Sequence, residues 1–567
     1  MKWKKNILKR VDILVILAII VLVNVLGNIY YHRFDLTEEK RYSLSPATKS
    51  FLKNLDDIVT VRVFLTGNLP SGFKELEIAT KDILNEFKAY GGSNVEFEFV
   101  DLNKFDKDTR KKIGEELKEF GLNPINLTEV SSSEQKQKIV YPGATISYLG
   151  RTFAVTLLEN QVGYDQFQIL NNSIILLEYK FANAIQKLQQ RTAPTIAISQ
   201  GHGEPNLKQL GDIIKTLQNE NFAVATLDLK EGYKIEDIVD VLIIPKPTKP
   251  FTEKEKFKID QYIMRGGKVL WLIDMIAVDM DSLQTTDFFF AEERTLNIET
   301  DMLFKYGARI NPDLVQDLRN TPVPIVTGEV GGLPQTQMFP WLYHPLLFTT
   351  NNHPVVRNID PVAGKFVNTI DTIRSSNVKK TVLLTTSNYS KALMAPVRVH
   401  LGILKEQPNP SSFKQPNLPV AVALEGVFKS AFKNRAMYGA FAEMMDTVPE
   451  LAFRDSSVHT KMIVVSDGDI IINEVAKNGQ PMPLGYDRNS GKNYGNKAFI
   501  KNAIEYLIDD NNLIETRNKN IKLRQLDVIK VKAKKQQWQI INVVVPLLLI
   551  FLFGWGYAYR RKRKFAK

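Results

Sequence analysis

The chain has 567 residues, too long for one ordinary domain, and its 44% hydrophobic and 24% charged content excludes wholesale disorder. It has no cysteine, which excludes disulfides, thiolate zinc sites and a cysteine nucleophile. Of the formal charge of +12, five cations lie in residues 1–10 and six in residues 560–567; twelve less eleven leaves +1 for the body, which excludes a basic nucleic-acid groove.

In chain order, the first predicted element is an apolar run of 21 residues, Val11 to Tyr31. Its counterpart, Ile540 to Tyr559, lies near the far end. About 20 residues at ~1.5 Å rise cross a hydrocarbon core of ~30 Å, so each run reads as a membrane span. The basic clusters lie outside both, and the positive-inside rule puts both termini in the cytoplasm and the body across the membrane. A cleaved signal peptide is the alternative at the N-terminus. The length of the run and the lack of an A-x-A site favour an uncleaved anchor.

After the first span, Ser45-Pro46 opens a helix running to about Leu55. "DIVTVRVFLTG" alternates as a strand, "FKELEIATKDILNEFKAYG" has helical spacing, "NVEFEFVDL" is a strand, and Asp106 to Phe120 is a helix. "IVYPGATISYLGRTFAVTLL" reads as two strands turning at Leu149-Gly150, and Gln166 to Gln190 as a long helix. The β-α-β-α-β-β order predicts a small α/β sandwich of thioredoxin-like type. A second unit opens at the strand "TIAIS", followed by a helix at about Asn206 to Glu220. "FAVATLDL", "VDVLIIPKP" and "KVLWLID" are strands and "TEKEKFKIDQYIMRGG" a helix. This alternation predicts a doubly wound parallel sheet. A Pro- and Asn-rich segment at about 281–380 breaks the rhythm and covers or extends the sheet. Strands return at "KTVLLTTS", "LPVAVALEG" and "KMIVVSDGDII", and a helix at about Asn496 to Ile508 closes the unit. The expected organisation is therefore 1–35 (basic tip and first span), 36–190 (first α/β domain with its connecting helix), 191–510 (second α/β domain), 511–538 (a solvated or headgroup-side return) and 539–567 (second span and basic tail).

Candidate site residues sit at strand carboxyl ends, where open α/β sheets bind ligands. They are His202 and Glu204 after "TIAISQ", Asp274 after "KVLWLI", and Ser466, Asp467 and Asp469 in "VSDGD". Together they could form a polar pocket or a weak cation site. Against this stands a purely structural reading. Gly201 and Gly203 permit a tight turn, Glu204-Pro205 begins a helix, and Asp467 and Asp469 cap backbone amides. No close histidine pair points to a resident metal, no cofactor motif is present, and Ser199 lacks a G-x-S-x-G elbow. "GYDRNSGKN" (485–493) has five residues between its glycines and ends in Asn, so it fails as a P-loop.

"RFDLTEEKRYSLSPATKSFLKNL" directly after a first span resembles the GldG family, a gliding-motility-associated component of bacterial ABC transporters. "SQGHGEP", "VDVLIIPKPTKPFTEKEKFKIDQYIMRGGKVLWLID", "FPWLYHPLL" and "HPVVRNIDP" fit the same family. The resemblance implies a GIFT-type domain related in fold to class I glutamine amidotransferases, without the cysteine nucleophile of that fold. It implies a non-catalytic auxiliary subunit in the inner membrane with a periplasmic body. The implied partners are a permease, GldF, a cytoplasmic ATPase, GldA, and periplasmic components of gliding and secretion. A second reading is a periplasmic ligand-binding subunit that captures a small molecule or glycan between its two α/β units, in a pocket lined by His202, Glu204 and Asp467. A membrane-anchored hydrolase is a third, and it lacks a nucleophile.

Overall fold

The computed structural model describes residues 19, 22, 43–130, 135–159, 165–190, 192–278, 280, 283, 286–330, 333–349, 351–374, 377–404, 407–433, 435, 452–510, 513–518 and 528–565. They fall into two compact units, one within 1–519 and one within 520–567. The predicted first span at 11–31 lies, apart from Ile19 and Leu22, outside the described residues.

The first unit begins with α1 (Pro46–Lys53). Its N-cap Ser45 accepts from the Thr48 amide, and Pro46 occupies the first turn, where its missing N–H costs nothing. Next come β1 (Val59–Val63), the 21-residue α2 (Ser71–Gly91), β2 (Val95–Phe99) and α3 (Lys107–Glu119), whose N-cap is Asp106. A hairpin of β3 (Ile125–Val130) and β4 (Gln135–Val140) precedes β5 (Gly143–Tyr148) and β6 (Arg151–Thr156). The β5–β6 turn falls at Leu149-Gly150, both at positive φ, as the sequence implied. The sheet order is β2-β1-β5-β6, with only β1 and β2 parallel. Ile139 and Val140 belong to β4 rather than to the strand after them, since Pro142-Gly143 interrupts the run.

The helix α4 (Gln166–Gln189) opens with a capping box between Asp165 and Gln168 and is mostly buried. The chain then enters a large sheet. Its parallel part consists of β7 (Thr195–Gln200), β8 (Ala223–Asp228), β9 (Val239–Pro245), β10 (Lys268–Leu272) and a late strand at Thr460–Val465. Between them lie α5 (Gly211–Asn219) and α6 (Glu253–Met264), the latter opened by a Thr252–Glu255 capping box. α5 starts later than the expected Asn206, because the Asn206 side chain accepts from Lys208 N and Gln209 N and holds a turn there. Both faces of the sheet carry apolar cores, Ile196, Ile243 and Leu270 on one and Ala197, Leu242 and Trp271 on the other. That double burial accounts for near-continuous apolar strands.

The sheet is not purely parallel, which corrects the doubly wound parallel expectation. β11 (Asn320–Val330), β12 (Leu333–Thr349), β13 (Val378–Thr385) and β14 (Pro419–Gly426) join in chain order, each antiparallel to its neighbour, and β14 pairs antiparallel with β15 (Thr460–Val465). The order is β11-β12-β13-β14-β15-β10-β9-β7-β8. The 281–380 segment both extends the sheet through the β11–β12 hairpin and adds a separate apolar core around Trp341, Tyr343 and Leu314. α7 (Asn496–Ile508) closes the unit. Residues 513–518, expected to be solvated, instead pack inward, with Leu513 and Ile514 joining the cores of the small and large sheets.

The second unit contains α8 (Val528–Phe565). Its residues Gln537–Phe565 form a helix long and apolar enough to cross a membrane. Pro546 lies inside it without ending it.

Candidate functional site

At the end of β7 the chain turns through Gly201 and Gly203, both at positive φ. A Cβ on Gly203 would collide with the Thr248 hydroxyl. The loop is locked to the one after β9, where the amides of Thr248 and Lys249 donate to the His202 carbonyl at 2.7 and 2.9 Å. The sheet order reverses between β7 and β9, so this is its topological switch point.

His202 is nevertheless buried. Its ring stacks on Phe251 with centroids 4.1 Å apart. Nε2 lies 3.1 Å from Glu255 Oε2 and Nδ1 3.7 Å from Glu204 Oε1, ion-pair contacts without well-aligned hydrogen bonds. Burial opposes protonation of the ring, but Glu204 and Glu255 outweigh it and raise the pKa above 6.5. Both carboxylates have other duties. Glu204 accepts from Ser199 Oγ and the His202 amide, and Glu255 from Thr252 N and Oγ1 in the capping box of α6. His202 therefore ties the β7 loop to the start of α6.

Three of the other four residues form a second cluster. One carboxylate oxygen from each of Asp274, Asp467 and Asp469 lies within 4.8 Å of the others. Lys246, at positive φ after β9, places its ammonium 3.2 Å from Asp274 and 2.5 Å from Asp469. Asp467 accepts from the amides of Lys365 and Asp469, and Asp274 from that of Gly468. Burial, then Asp469 and Asp274, pushes the Asp467 carboxyl well above the usual carboxylate range. Burial also raises Asp274, partly offset by Lys246. Three carboxylates are a donor set that could hold a cation, but the Lys246 ammonium already supplies the compensating charge. Ser466 is fully buried and donates to the carbonyls of Val420 and Asn368.

Two openings adjoin these clusters. An outer cleft of about 610 Å³ is lined by Glu204, Lys246, Lys365, Asp469 and Arg488 among others. An inner chamber of about 560 Å³ shares Lys246, Lys365, Asp469 and Arg488 with it and adds Asp274. Among the six sequence candidates, then, Glu204 and Asp469 meet in the cleft and Asp274 and Asp469 in the chamber. His202, Ser466 and Asp467 line neither. Sequence reasoning missed Lys246, Glu255, Lys365, Arg294 and Arg488. Lys246 carried a signal, a lone cation directly after the buried strand "VDVLIIP". The failed P-loop stretch forms a small hairpin, Tyr486–Asp487 with Lys492–Asn493.

A family model described as an ABC-type uncharacterized transport system matches residues 193–503, more than half of the chain. The chain belongs to this family. The match begins just before β7 and ends within α7, so it spans both clusters of this ABC transport family member. A domain of unknown function matches residues 38–147, from before α1 into β5. An uncharacterized protein of Borreliella burgdorferi (strain ATCC 35210 / DSM 4680 / CIP 102532 / B31) is 21% identical over 464 residues, 80% of this chain and 84% of its own. Among solved structures, the mmIFT52 N-terminal domain matches at TM-score 0.30 and 13% identity, over 55% of this chain and 96% of its own. Exo-beta-1,4-mannosidase Op5Man5 from Opitutaceae bacterium strain TAV5 matches at TM-score 0.17 and 14% identity, over 38% and 30%.

Proposed function

We propose that this protein is a GldG-type, non-catalytic auxiliary subunit of an ABC transporter, held in the membrane by its terminal helices and docked on a permease. The observation that carries the reading is the ABC transport family match across the large-sheet region. The apolar α8, with its described side chains exposed and its basic end at Arg560–Lys564, supports membrane anchoring. The use of His202, Glu204 and Ser466 as internal ties supports a non-catalytic body. In this reading the body is periplasmic, both termini are cytoplasmic, the permease is of GldF type and the ATPase of GldA type, and the complex serves gliding or secretion.

The cysteine-free chain makes a direct test simple. Single cysteines placed along α8 from Leu547 to Phe553 should crosslink, on one helical face, to a second membrane protein identifiable as a permease. Uniform failure at every position would contradict docking through this helix.

A further inference from the structure

The inner chamber lies outside the carboxyl ends of β9, β10 and β15 and under the hairpin of β11 and β12. Its walls are aliphatic and aromatic, with Ile276, Val278, Leu283, Val323, Ile325 and Phe366 contributing. Its volume is in the range of small-ligand sites, roughly 300–1,000 Å³. Its charged groups are Lys246, Arg294, Lys365 and Arg488 against Asp274 and Asp469, four cations to two acids. Lys246 is paired with those two acids, and Arg488 with Glu474 at 3.2 Å. Arg294 and Lys365 have no ion-pair partner among the described residues.

Two buried polar atoms in this lining lack a hydrogen-bond partner among the described residues, Arg294 Nε and His344 Nε2. Among the described residues, the Arg294 guanidinium makes a long hydrogen bond, Nη1 to the Pro247 carbonyl at 3.4 Å. A buried guanidinium N–H without an acceptor is costly, and a carboxylate or phosphate oxygen is the partner its geometry suits. Burial and nearby Lys365 push the His344 pKa down to about 3, so its ring is neutral there at physiological pH. A glycan would need hydrogen-bonding groups along its whole length, and the aliphatic walls do not supply them.

We propose that this chamber binds an anionic amphiphile: a carboxylate or phosphate head received by Arg294 and Lys365, and an aliphatic body against the Val323–Ile325 and Ile276–Val278 walls. The site is independent of which permease or ATPase the chain joins. The apolar walls separate such a ligand from free phosphate, and the two unpaired cations separate it from a neutral lipid.

The test uses the full chain in lipid nanodiscs, with a photoreactive diazirine analogue of decanoate as probe and peptide mapping as readout. Saturable labelling of peptides containing 276–283 and 323–325 is expected. Decanoate and decyl phosphate should compete for it, whereas decyl glucoside and inorganic phosphate should not. Arg294→Gln with Lys365→Gln should weaken competition by decanoate tenfold or more. Ile325→Glu, at a half-buried position, should do so with both cations intact. The proposal is overturned if labelling does not saturate, if decyl glucoside competes as well as decanoate, or if the double variant labels like the parent. Equal competition by inorganic phosphate would overturn the apolar half of the site.

Discussion

Replacing Glu505 with Ala should cost about 3–5 kcal/mol, the usual penalty for breaking a buried ion pair from one side. Glu505 lies on α7 and is almost fully buried. Its carboxylate accepts from the Tyr179 hydroxyl at 2.7 Å and Asn183 at 3.3 Å and meets the Lys187 ammonium at 3.3 Å, all three on α4. Lys187 also reaches Glu220 at 2.5 Å, and Glu220 pairs with Lys501. Removing Glu505 leaves Lys187 with one carboxylate fewer and Tyr179 without its acceptor. The network fastens the helix leading out of the small sheet to the helix that closes the large one. A lower urea midpoint is the readout, with α4 gaining protease sensitivity. A midpoint within experimental error of the parent would refute the assignment. Burial works against ionisation of Glu505 and Glu220, but Lys187 and Lys501 outweigh it and depress both pKa values below 4.5. A depressed carboxylate stabilises the fold above its unfolded pKa and loses that contribution as pH falls through the folded one. The parent should therefore lose stability below about pH 4.5 more steeply than Glu505→Ala does.

His202→Ala is the second large effect, also of about 3–5 kcal/mol. It removes the cation held between two buried carboxylates, Glu204 and Glu255, and the ring stacked on Phe251. The sign of its pH dependence is opposite to that of Glu505. A histidine with a raised folded pKa contributes stability that is fully present below its unfolded pKa near 6.5 and lost as pH rises through the folded value. The gap between parent and variant should thus narrow from pH 6 toward pH 9. A thermal melt at several pH values checks this, and a gap that widens with pH would refute the paired-imidazolium assignment. As a tie between the β7 loop and α6, His202 should register its substitution in stability.

Where one principle dominated, the sequence was legible. β7, β9 and β10 were visible as apolar runs because both faces of the sheet are covered, and α6 was visible from the acidic start of "TEKEKFKIDQYIMRGG" and the Gly266-Gly267 at its end. The β11–β12 hairpin was hidden by its prolines. Pro322, Pro324, Pro334, Pro340 and Pro345 argue against strands, yet here they sit in a long hairpin toward the sheet edge, with a register irregularity beside Pro322. Residues 513–518 looked solvated by charge, yet Arg517 is buried against Asn502 and near Glu505, partners no local pattern reveals. The six candidate residues were found because strand ends are a topological property. Their division into two clusters was not legible, because it depends on Lys246, in the loop after β9, and Glu255, on α6, which no local pattern links to the candidates. The Tyr179–Glu505 contact spans 326 residues, beyond any spacing rule.

The central claim is that this chain works as a subunit within an ABC transport assembly. The most direct measurement is purification of the intact, tagged chain from native membranes in mild detergent, followed by mass spectrometry of the intact complex. The expected result is a permease and an ATPase recovered with it in fixed stoichiometry, with ATP hydrolysis by the ATPase and none by this chain. Recovery as a stable monomer carrying neither protein would contradict the claim.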